Sequence, residues 1–163
     1  MIKGGEFLIT DQENKDIFIP EEFTEEQKMM ATATTEFVEK ELIPQRERFE
    51  KKDYKLTESC MKKAGKLGLL GISVPTEYGG MGMPFNTSVL ICDKISGANG
   101  SFTTAFGAHT GIGTLPILLY GNHSQKEKYL PKLATGEWMG CYCLTEPEAG
   151  SDLGSLRTLA LRD

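Results

Sequence analysis

Histidine and tryptophan are the scarcest side chains of this sequence, with two and one copies among 163 residues. The two histidines and four cysteines form no C-x-x-C pair and no cluster with ligand spacing, which argues against a metal site. A net charge of −5 without a basic block argues against nucleic acid as a partner. We therefore expect no bound metal, and buried, reduced thiols.

Long apolar runs are also missing. No run approaches the roughly 20 residues that a membrane-spanning helix needs. Residues 1–20 contain acids throughout and lack the apolar centre of a signal peptide. The hydrophobic fraction of 39% and the charged fraction of 25% are typical of a globular protein. These features predict a cytoplasmic chain with no membrane segment.

Apolar residues recur at three- and four-residue steps along residues 24–136, which predicts a helical domain after an irregular arm, residues 1–23. Capping boxes that begin at Thr24 and Ser124, and a cap at Thr57, predict helix starts. The glycine-rich residues 77–82 lack the G-x-G-x-x-G pattern, so a structural turn is favoured there over a phosphate-binding loop.

The helix predicted over residues 101–113 is rich in glycine, alanine and threonine. These small side chains lower helix propensity, so the sequence needs them for another reason. Either a neighbouring helix packs very closely against this one, or the helix lines a cavity. Both interpretations stay open.

Residues 139–144 have the composition of an apolar β-strand, and the chain then turns at Thr145. The turn is expected to need Gly150 in a conformation closed to other residues, the hydroxyls of Thr145 and Ser151 flank it, and Asp152 can cap the residues after it. Such an edge could bind an anionic or electron-rich planar ligand. Because one strand needs a partner, we expect residues 137–163 to be the incomplete start of a β domain in a longer protein.

Residues 143–155 resemble a signature of the acyl-CoA dehydrogenase family, Thr-Glu-Pro-x-Ala-Gly-Ser-Asp-x-x-Ser preceded by a small aliphatic residue. Residues 75–82 resemble the Pro-x-x-Tyr-Gly-Gly-x-Gly loop of that family, and residues 125–137 resemble the helix and turn before its β domain. Residues 106–109 and 117–121 look most like the very-long-chain branch.

The resemblance implies a mainly α fold, a helical-bundle N-terminal domain followed by the truncated start of the middle β domain. It implies FAD as cofactor and α,β-dehydrogenation of a fatty acyl-CoA, of long chain, in fatty acid β-oxidation. It further implies an electron-transfer flavoprotein as acceptor and a homo-oligomer. Apolar faces meant for missing domains would also favour association of copies.

By the same resemblance, the flavin lies against Tyr142, Cys143, Leu144, Thr145, Gly150 and Ser151. Ser151 also contacts the CoA substrate, and Thr104 and Ala108 leave a deep slot for the acyl chain. The catalytic base of the family lies outside this chain, and we expect structural or solvated roles for Glu146 and Glu148. The isolated chain should therefore bind FAD poorly and have no activity.

Two other functions remain compatible with the sequence. An acyl-CoA oxidase or a flavin monooxygenase would keep the fold and react with oxygen. A non-catalytic helical interaction module would need neither flavin nor substrate.

Overall fold

A computed structural model describes residues 8, 9, 11 and 18–161 of the chain. Of the predicted arm, Phe7 and residues 3–5 lie outside the described residues, while Leu8, Phe18 and Ile19 are exposed. The described part of the chain is helical, as predicted, and forms seven α-helices: α1 Glu25–Phe37, α2 Arg46–Glu50, α3 Tyr54–Lys66, α4 Phe85–Ser96, α5 Gly100–Ala108, α6 Leu115–Tyr120 and α7 His123–Thr135.

Two of these helices change their winding at the C-terminal end. Helix α1 continues as a π-helical turn, Val38–Leu42, and then as a 3-10 turn that contains Pro44. Helix α5 continues as a second π-helical turn, His109–Gly113. The helix predicted to start at Thr24 and the helix predicted over residues 101–113 are therefore confirmed, with a local insertion in each. Such π turns are often found at functional sites.

The main core surrounds Phe102 of helix α5, whose side chain is fully buried. Its ring centroid lies 6.2 Å from that of Phe37, 5.8 Å from that of Phe49 and 6.5 Å from that of Phe106. Helices α1, α2 and α5 therefore meet at one aromatic cluster. Ile91 and Ile95 of α4 are also fully buried in this core.

The predicted start of α1 is confirmed in atomic detail. The Gln27 N–H donates to Thr24 Oγ1 at 3.2 Å, and the Thr24 N–H donates to Gln27 Oε1 at 2.9 Å. The buried Gln27 amide then donates to Thr87 Oγ1 at 2.7 Å and to Asn86 Oδ1 at 3.1 Å. One side chain thus caps α1 and joins it to α4.

Two predicted caps are wrong. Helix α3 begins after Asp53, whose Oδ1 accepts from the Leu56 N–H at 3.0 Å, and Thr57 lies inside the helix. Helix α7 begins after Asn122, whose Oδ1 accepts from the Gln125 N–H at 2.9 Å, so Ser124 is already helical. In both cases an Asp or Asn upstream is a competent cap, and it adds residues to the helix.

The glycine-rich loop after residues 71–74 is a structural turn, as favoured from the sequence. The N–H groups of residues 81–83 donate to carbonyls of residues 71–74 at 2.8–2.9 Å. A Cβ atom on Gly80 would lie 2.0 Å from the Val74 carbonyl oxygen, so only glycine permits this approach. These amides are therefore engaged within the loop and do not face a ligand.

Residues 139–144 do not form the predicted β-strand. They are irregular, and the described residues beyond them contain one isolated antiparallel bridge, between Glu146 and Ala149. A strand needs hydrogen bonds to a neighbouring strand, and none is formed among residues 18–161. None of the described helices is both long enough and apolar enough to cross a bilayer.

Candidate functional site

The chain leaves α7 through a fixed turn, which begins the candidate site. Gly136 ends the helix with a φ of +73°, a value that glycine adopts without strain. The Trp138 N–H donates to the Lys132 carbonyl at 3.1 Å, and Lys132 Nζ lies 4.4 Å from the centroid of the Trp138 ring. Lys132 also pairs with Glu137 at 3.0 Å. Residues 138–141, called the stem below, therefore start from a defined position.

A tight turn comes after the stem. Glu146 and Ala149 exchange two backbone hydrogen bonds of 3.0 and 3.2 Å across it. The Glu146 carboxylate accepts from the N–H groups of Thr158 at 3.0 Å and Arg157 at 2.8 Å, and these bonds lower the pKa of Glu146. Glu148 pairs with Arg157 at 2.5 Å. Both glutamates are thus engaged with residues 157–158, in keeping with the structural roles expected for them.

Asp152 caps the short 3-10 turn Leu153–Ser155, as the sequence predicts. Its Oδ1 accepts from the Gly154 N–H at 3.2 Å, and its Oδ2 accepts from the Ser155 hydroxyl at 2.5 Å. The segment between Glu146 and Ser155 is thus held by bonds within itself. Residues 145–151 form a compact turn, called the bend below.

The predicted flavin contacts lie on the bend and on the chain just before it. Of these residues, Leu144 is half-buried, and the others are exposed: Tyr142, Cys143, Thr145, Gly150 and Ser151. The glycine-only conformation expected at Gly150 is not adopted, because its φ is not in the left-handed region. A Cβ atom on Gly150 would have no neighbour within 4 Å, so the backbone there is open. The structure brings these residues together by proximity in the chain, and their contact with a flavin stays a prediction.

The prediction of buried thiols is wrong for three of the four cysteines. Cys60 is buried, but Cys92, Cys141 and Cys143 are exposed. Cys141 and Cys143 are exposed because no second strand or sheet covers residues 139–144 among the described residues. Across residues 18–161, no three His, Cys, Asp or Glu side chains gather in a way that could hold a metal ion.

An apolar pocket of about 270 Å³ lies between residues 69–74, helix α4, and helix α5 with its π turn. A Cβ atom on Gly107 or Gly111 would meet nothing within 4 Å, so these glycines leave open space. The lining residues are Leu69, Leu70, Ile72, Ser73, Val74, Phe85, Ser88, Val89, Cys92, Phe106, Gly107, Thr110, Gly111, Thr114 and Leu115.

The cavity interpretation of the small residues on α5 and its π turn is realised, and the close contact made at Gly113 is with the irregular stem rather than with a neighbouring helix. Gly107 and Gly111 line the pocket, whereas Gly113 packs so closely that a Cβ atom would lie 2.9 Å from Gly140 Cα. Thr104 is exposed and donates to the Gly100 carbonyl at 2.8 Å, and Ala108 is half-buried. Neither lines this pocket, and their role in substrate binding stays a prediction. The glycines at i and i+4 were the available signal for the pocket.

Residues 24–137 match the family model described as "Acyl-CoA dehydrogenase, N-terminal domain". The chain belongs to the acyl-CoA dehydrogenase family. A crystal structure of an acyl-CoA dehydrogenase complexed with FAD, from Bacillus anthracis, superposes with a TM-score of 0.90 at 47% identity, over 96% of this chain and 26% of that one. The mainly helical fold is therefore that of the family's N-terminal domain.

Several curated relatives are similar to this chain. A probable acyl-CoA dehydrogenase of Bacillus subtilis is 47% identical over 99% of this chain and 27% of its own length. Bovine mitochondrial isovaleryl-CoA dehydrogenase is 39% identical over 83% of this chain and 32% of its own length. The very-long-chain enzyme of Macaca fascicularis is 45% identical, but over 64% of this chain and 16% of its own length. The chain thus spans about a quarter of the Bacillus relative, and the very-long-chain likeness is partial.

Proposed function

We propose that this chain is the N-terminal part of an FAD-dependent acyl-CoA dehydrogenase, which removes hydrogen across the α,β bond of an acyl-CoA thioester. The observation that carries the proposal is the match of the whole helical domain to the family, with a relative of 47% identity that is complexed with FAD. We further infer that residues 137–163 open the middle β domain of that enzyme. A cytoplasmic location and a homo-oligomeric state remain predictions.

The bend fits one edge of a flavin ring by the chemistry of its donors. The pyrimidine edge of a flavin presents carbonyl oxygens and ring nitrogens, which accept hydrogen bonds. Thr145 and Ser151 are exposed at the two ends of the bend, and no described residue accepts from their backbone N–H groups. Each therefore offers a hydroxyl and an amide to such a ligand. FAD would supply the hydride acceptor for the β-hydrogen of the thioester.

The contribution of these residues is binding and orientation. Donors fixed on a rigid turn cost little reorganisation when charge develops on the ligand they face. Ser151 is also our candidate for contact with the CoA part of the substrate. The carboxylates of Glu146 and Glu148 are each bonded to residues 157–158, which gives both side chains a structural role. We place the catalytic base outside this chain.

The chain length of the substrate is the open part of the proposal. The pocket beside Gly107 and Gly111 is apolar, which suits an acyl chain, and a long-chain substrate is the prediction from the sequence. Relatives named for isovaleryl-CoA and for very long chains are both similar to this chain. We infer that the substrate is an acyl-CoA, with an electron-transfer flavoprotein as acceptor.

The test uses the complete enzyme, purified with its cofactor. We expect a bound flavin that is reduced anaerobically by an acyl-CoA, and a comparison of isovaleryl-CoA with straight chains of increasing length gives the preference. Thr145→Val and Ser151→Ala should each weaken FAD retention about three- to tenfold, the effect of one lost hydrogen bond. Ser124→Ala, on exposed helix surface, is the matched control and should have no effect.

Two results would contradict the proposal. A complete protein that holds no flavin, or whose flavin no acyl-CoA reduces, would exclude the dehydrogenase activity. Rapid reoxidation of the reduced flavin by oxygen would instead indicate an oxidase or monooxygenase. The isolated 163-residue chain should retain much less FAD than the complete enzyme.

A further inference from the structure

His109 is a buried polar side chain that the proposed chemistry does not use. It begins the π turn after helix α5 and is 1% exposed. Its Nε2 lies 3.0 Å from the carbonyl oxygen of Leu133, in the last turn of α7. The N–H of Gly140, in the stem, points at its Nδ1 from 2.9 Å. Both ring nitrogens are therefore engaged with backbone atoms of distant parts of the chain.

The two partners assign the protonation state of the ring. A backbone N–H can only donate, so Nδ1 must accept and carries no proton. A carbonyl oxygen can only accept, so Nε2 must carry the proton and donate to Leu133. Only the neutral Nε2–H imidazole satisfies both bonds. The imidazolium cation also carries a proton on Nδ1, which would face the Gly140 N–H, so the hydrogen bond from Gly140 to Nδ1 would be lost.

These bonds join the stem to two helices at one point. Gly140 also touches Gly113 through backbone atoms: a Cβ atom on Gly113 would lie 2.7 Å from the Gly140 carbonyl carbon, and a Cβ atom on Gly140 would lie 3.1 Å from Gly113 Cα. The next residues toward the bend, Cys141 to Cys143, are exposed and have no bond to a helix among the described residues. The His109 bond is thus the last side-chain attachment before the bend.

We propose that His109 is a positioning residue: its neutral imidazole fastens the stem at Gly140 to helices α5 and α7 and so fixes where the bend lies. The attachment itself stands on the geometry of the described residues. Its consequence for FAD binding rests on the proposed function, because the bend is the part that would face the flavin.

The attachment should depend on pH. Burial lowers the pKa of His109 below its ordinary value of 6.5, and the Leu133 carbonyl partly opposes this shift. Helix α5 and its π turn carry no other ionisable side chain. On the other elements packed here, Lys132 and Glu137 pair with each other, and the exposed Cys141 comes after Gly140.

The lowered pKa of His109 determines whether stability rises or falls with pH. Above the ordinary value, the imidazole is neutral in the folded and the unfolded chain, and the attachment is complete. As the pH falls below about 6.5, the unfolded chain takes up the proton first, and the folded chain takes it up at a lower pH. Stability is lost across this interval, and the Gly140 bond breaks when His109 becomes charged.

Two substitutions separate the two bonds. In His109→Asn the side-chain oxygen can take the place of Nδ1 and accept from Gly140. In His109→Gln the side-chain nitrogen can take the place of Nε2 and donate to Leu133. The measurement is hydrogen exchange of the Gly140 amide in the ¹⁵N-labelled chain. We expect about tenfold faster exchange in His109→Gln and a smaller change in His109→Asn.

Controls distinguish release of the stem from general unfolding. Amides in helix α1 report whether each variant is folded, and ¹⁵N shifts of the imidazole report its tautomer and charge. His123→Gln removes the only other histidine, which is exposed, and should leave Gly140 exchange and its pH dependence unchanged. Equal Gly140 exchange in the wild type and in His109→Gln, or equal effects of Asn and Gln, would overturn the proposal.

The complete enzyme then tests the consequence for the cofactor. FAD retention should fall several-fold more in His109→Gln than in His109→Asn, and it should fall in the wild type as His109 is protonated. If Gly140 is released while FAD retention is unchanged, the attachment stands and the assignment of the bend to the flavin is wrong. If Gly140 does not respond, the positioning role is wrong, whatever happens to the flavin.

Discussion

Gly65, near the end of helix α3, is the point where that helix comes closest to the C-terminal turn of α7. A Cβ atom placed there would lie 2.2 Å from the Thr135 carbonyl oxygen and 3.2 Å from the Gly136 N. These are backbone atoms, so no side-chain rotation relieves the overlap. The substitution Gly65→Ala therefore tests whether α3 and the end of α7 meet as closely as the structure shows.

The expected change in the free energy of unfolding for Gly65→Ala is the difference between two contributions. Replacing a helical glycine by alanine stabilises a helix by about 0.5–1 kcal/mol. Ordinary contact begins near 3.4 Å, so the two backbones would have to separate by roughly 1 Å, and overpacking of this kind costs about 1–3 kcal/mol. Because the overlap involves backbone on both sides, the upper end applies. We expect a net loss of about 2 kcal/mol in the free energy of unfolding.

Gly107 provides the matched control. It also lies in a helix, but a Cβ atom there would meet nothing within 4 Å, so Gly107→Ala should stabilise the chain by about 0.5–1 kcal/mol. Urea unfolding followed by circular dichroism measures both, as opposite shifts of the midpoint at an unchanged slope. If Gly65→Ala were as stable as the wild type, or if both variants shifted upward together, helix propensity alone would explain the result.

Three further predictions concern the core, a cap and the bend. Phe102→Ala should cost about 3–5 kcal/mol in urea unfolding, whereas Phe85→Ala, at a residue 67% exposed, should cost much less. Asn122→Ala should cost about 1 kcal/mol and Ser124→Ala close to nothing, because Asn122 is the cap of α7. Glu146→Gln should speed exchange of the two amides that this carboxylate holds, and lowering the pH of the wild type should do the same below the ordinary value of 4.5, because its pKa is lowered.

Each of these has a clear contrary result. Similar costs for the two phenylalanines would mean that the aromatic cluster is not the core. A larger loss at Ser124 than at Asn122 would restore the cap predicted from the sequence. Amide exchange that is the same with and without the Glu146 carboxylate, measured by NMR, would show that residues 157–158 are held by other contacts.

The helices could be predicted because the apolar residues on the buried face of a helix recur every three or four positions, a pattern that can be read from the sequence. The capping box of Thr24 with Gln27 could also be predicted, because both partners lie within one helical turn. The starts of α3 and α7 could not be predicted, because two competent caps compete within a few residues. The caps observed are Asp53 and Asn122, which lie upstream of the predicted caps Thr57 and Ser124, so each helix is longer than predicted.

The role of His109 left no trace in the sequence. Its partners are backbone atoms of residues that lie 24 and 31 positions further along the chain. Any residue type at those positions offers a carbonyl or an N–H, so no pattern marks the contact. The prediction of a strand over residues 139–144 was also wrong because a distant part of the chain decides the outcome. Composition favours a strand, but only a neighbouring strand supplies its hydrogen bonds.

The way the bend is held also determines how much binding this chain can provide alone. Glu146 and Ala149 exchange backbone hydrogen bonds within the bend, and the carboxylates of Glu146 and Asp152 accept from amides just after it. His109 fastens the stem, so the donors of Thr145 and Ser151 are arranged in advance. Preorganisation removes a cost of binding but adds no contact area. A few hydrogen bonds of about 1 kcal/mol each give an affinity near the millimolar range. In the proposed complex, retention of FAD would therefore come from surfaces that bury the rest of the cofactor, and the bend would contribute orientation.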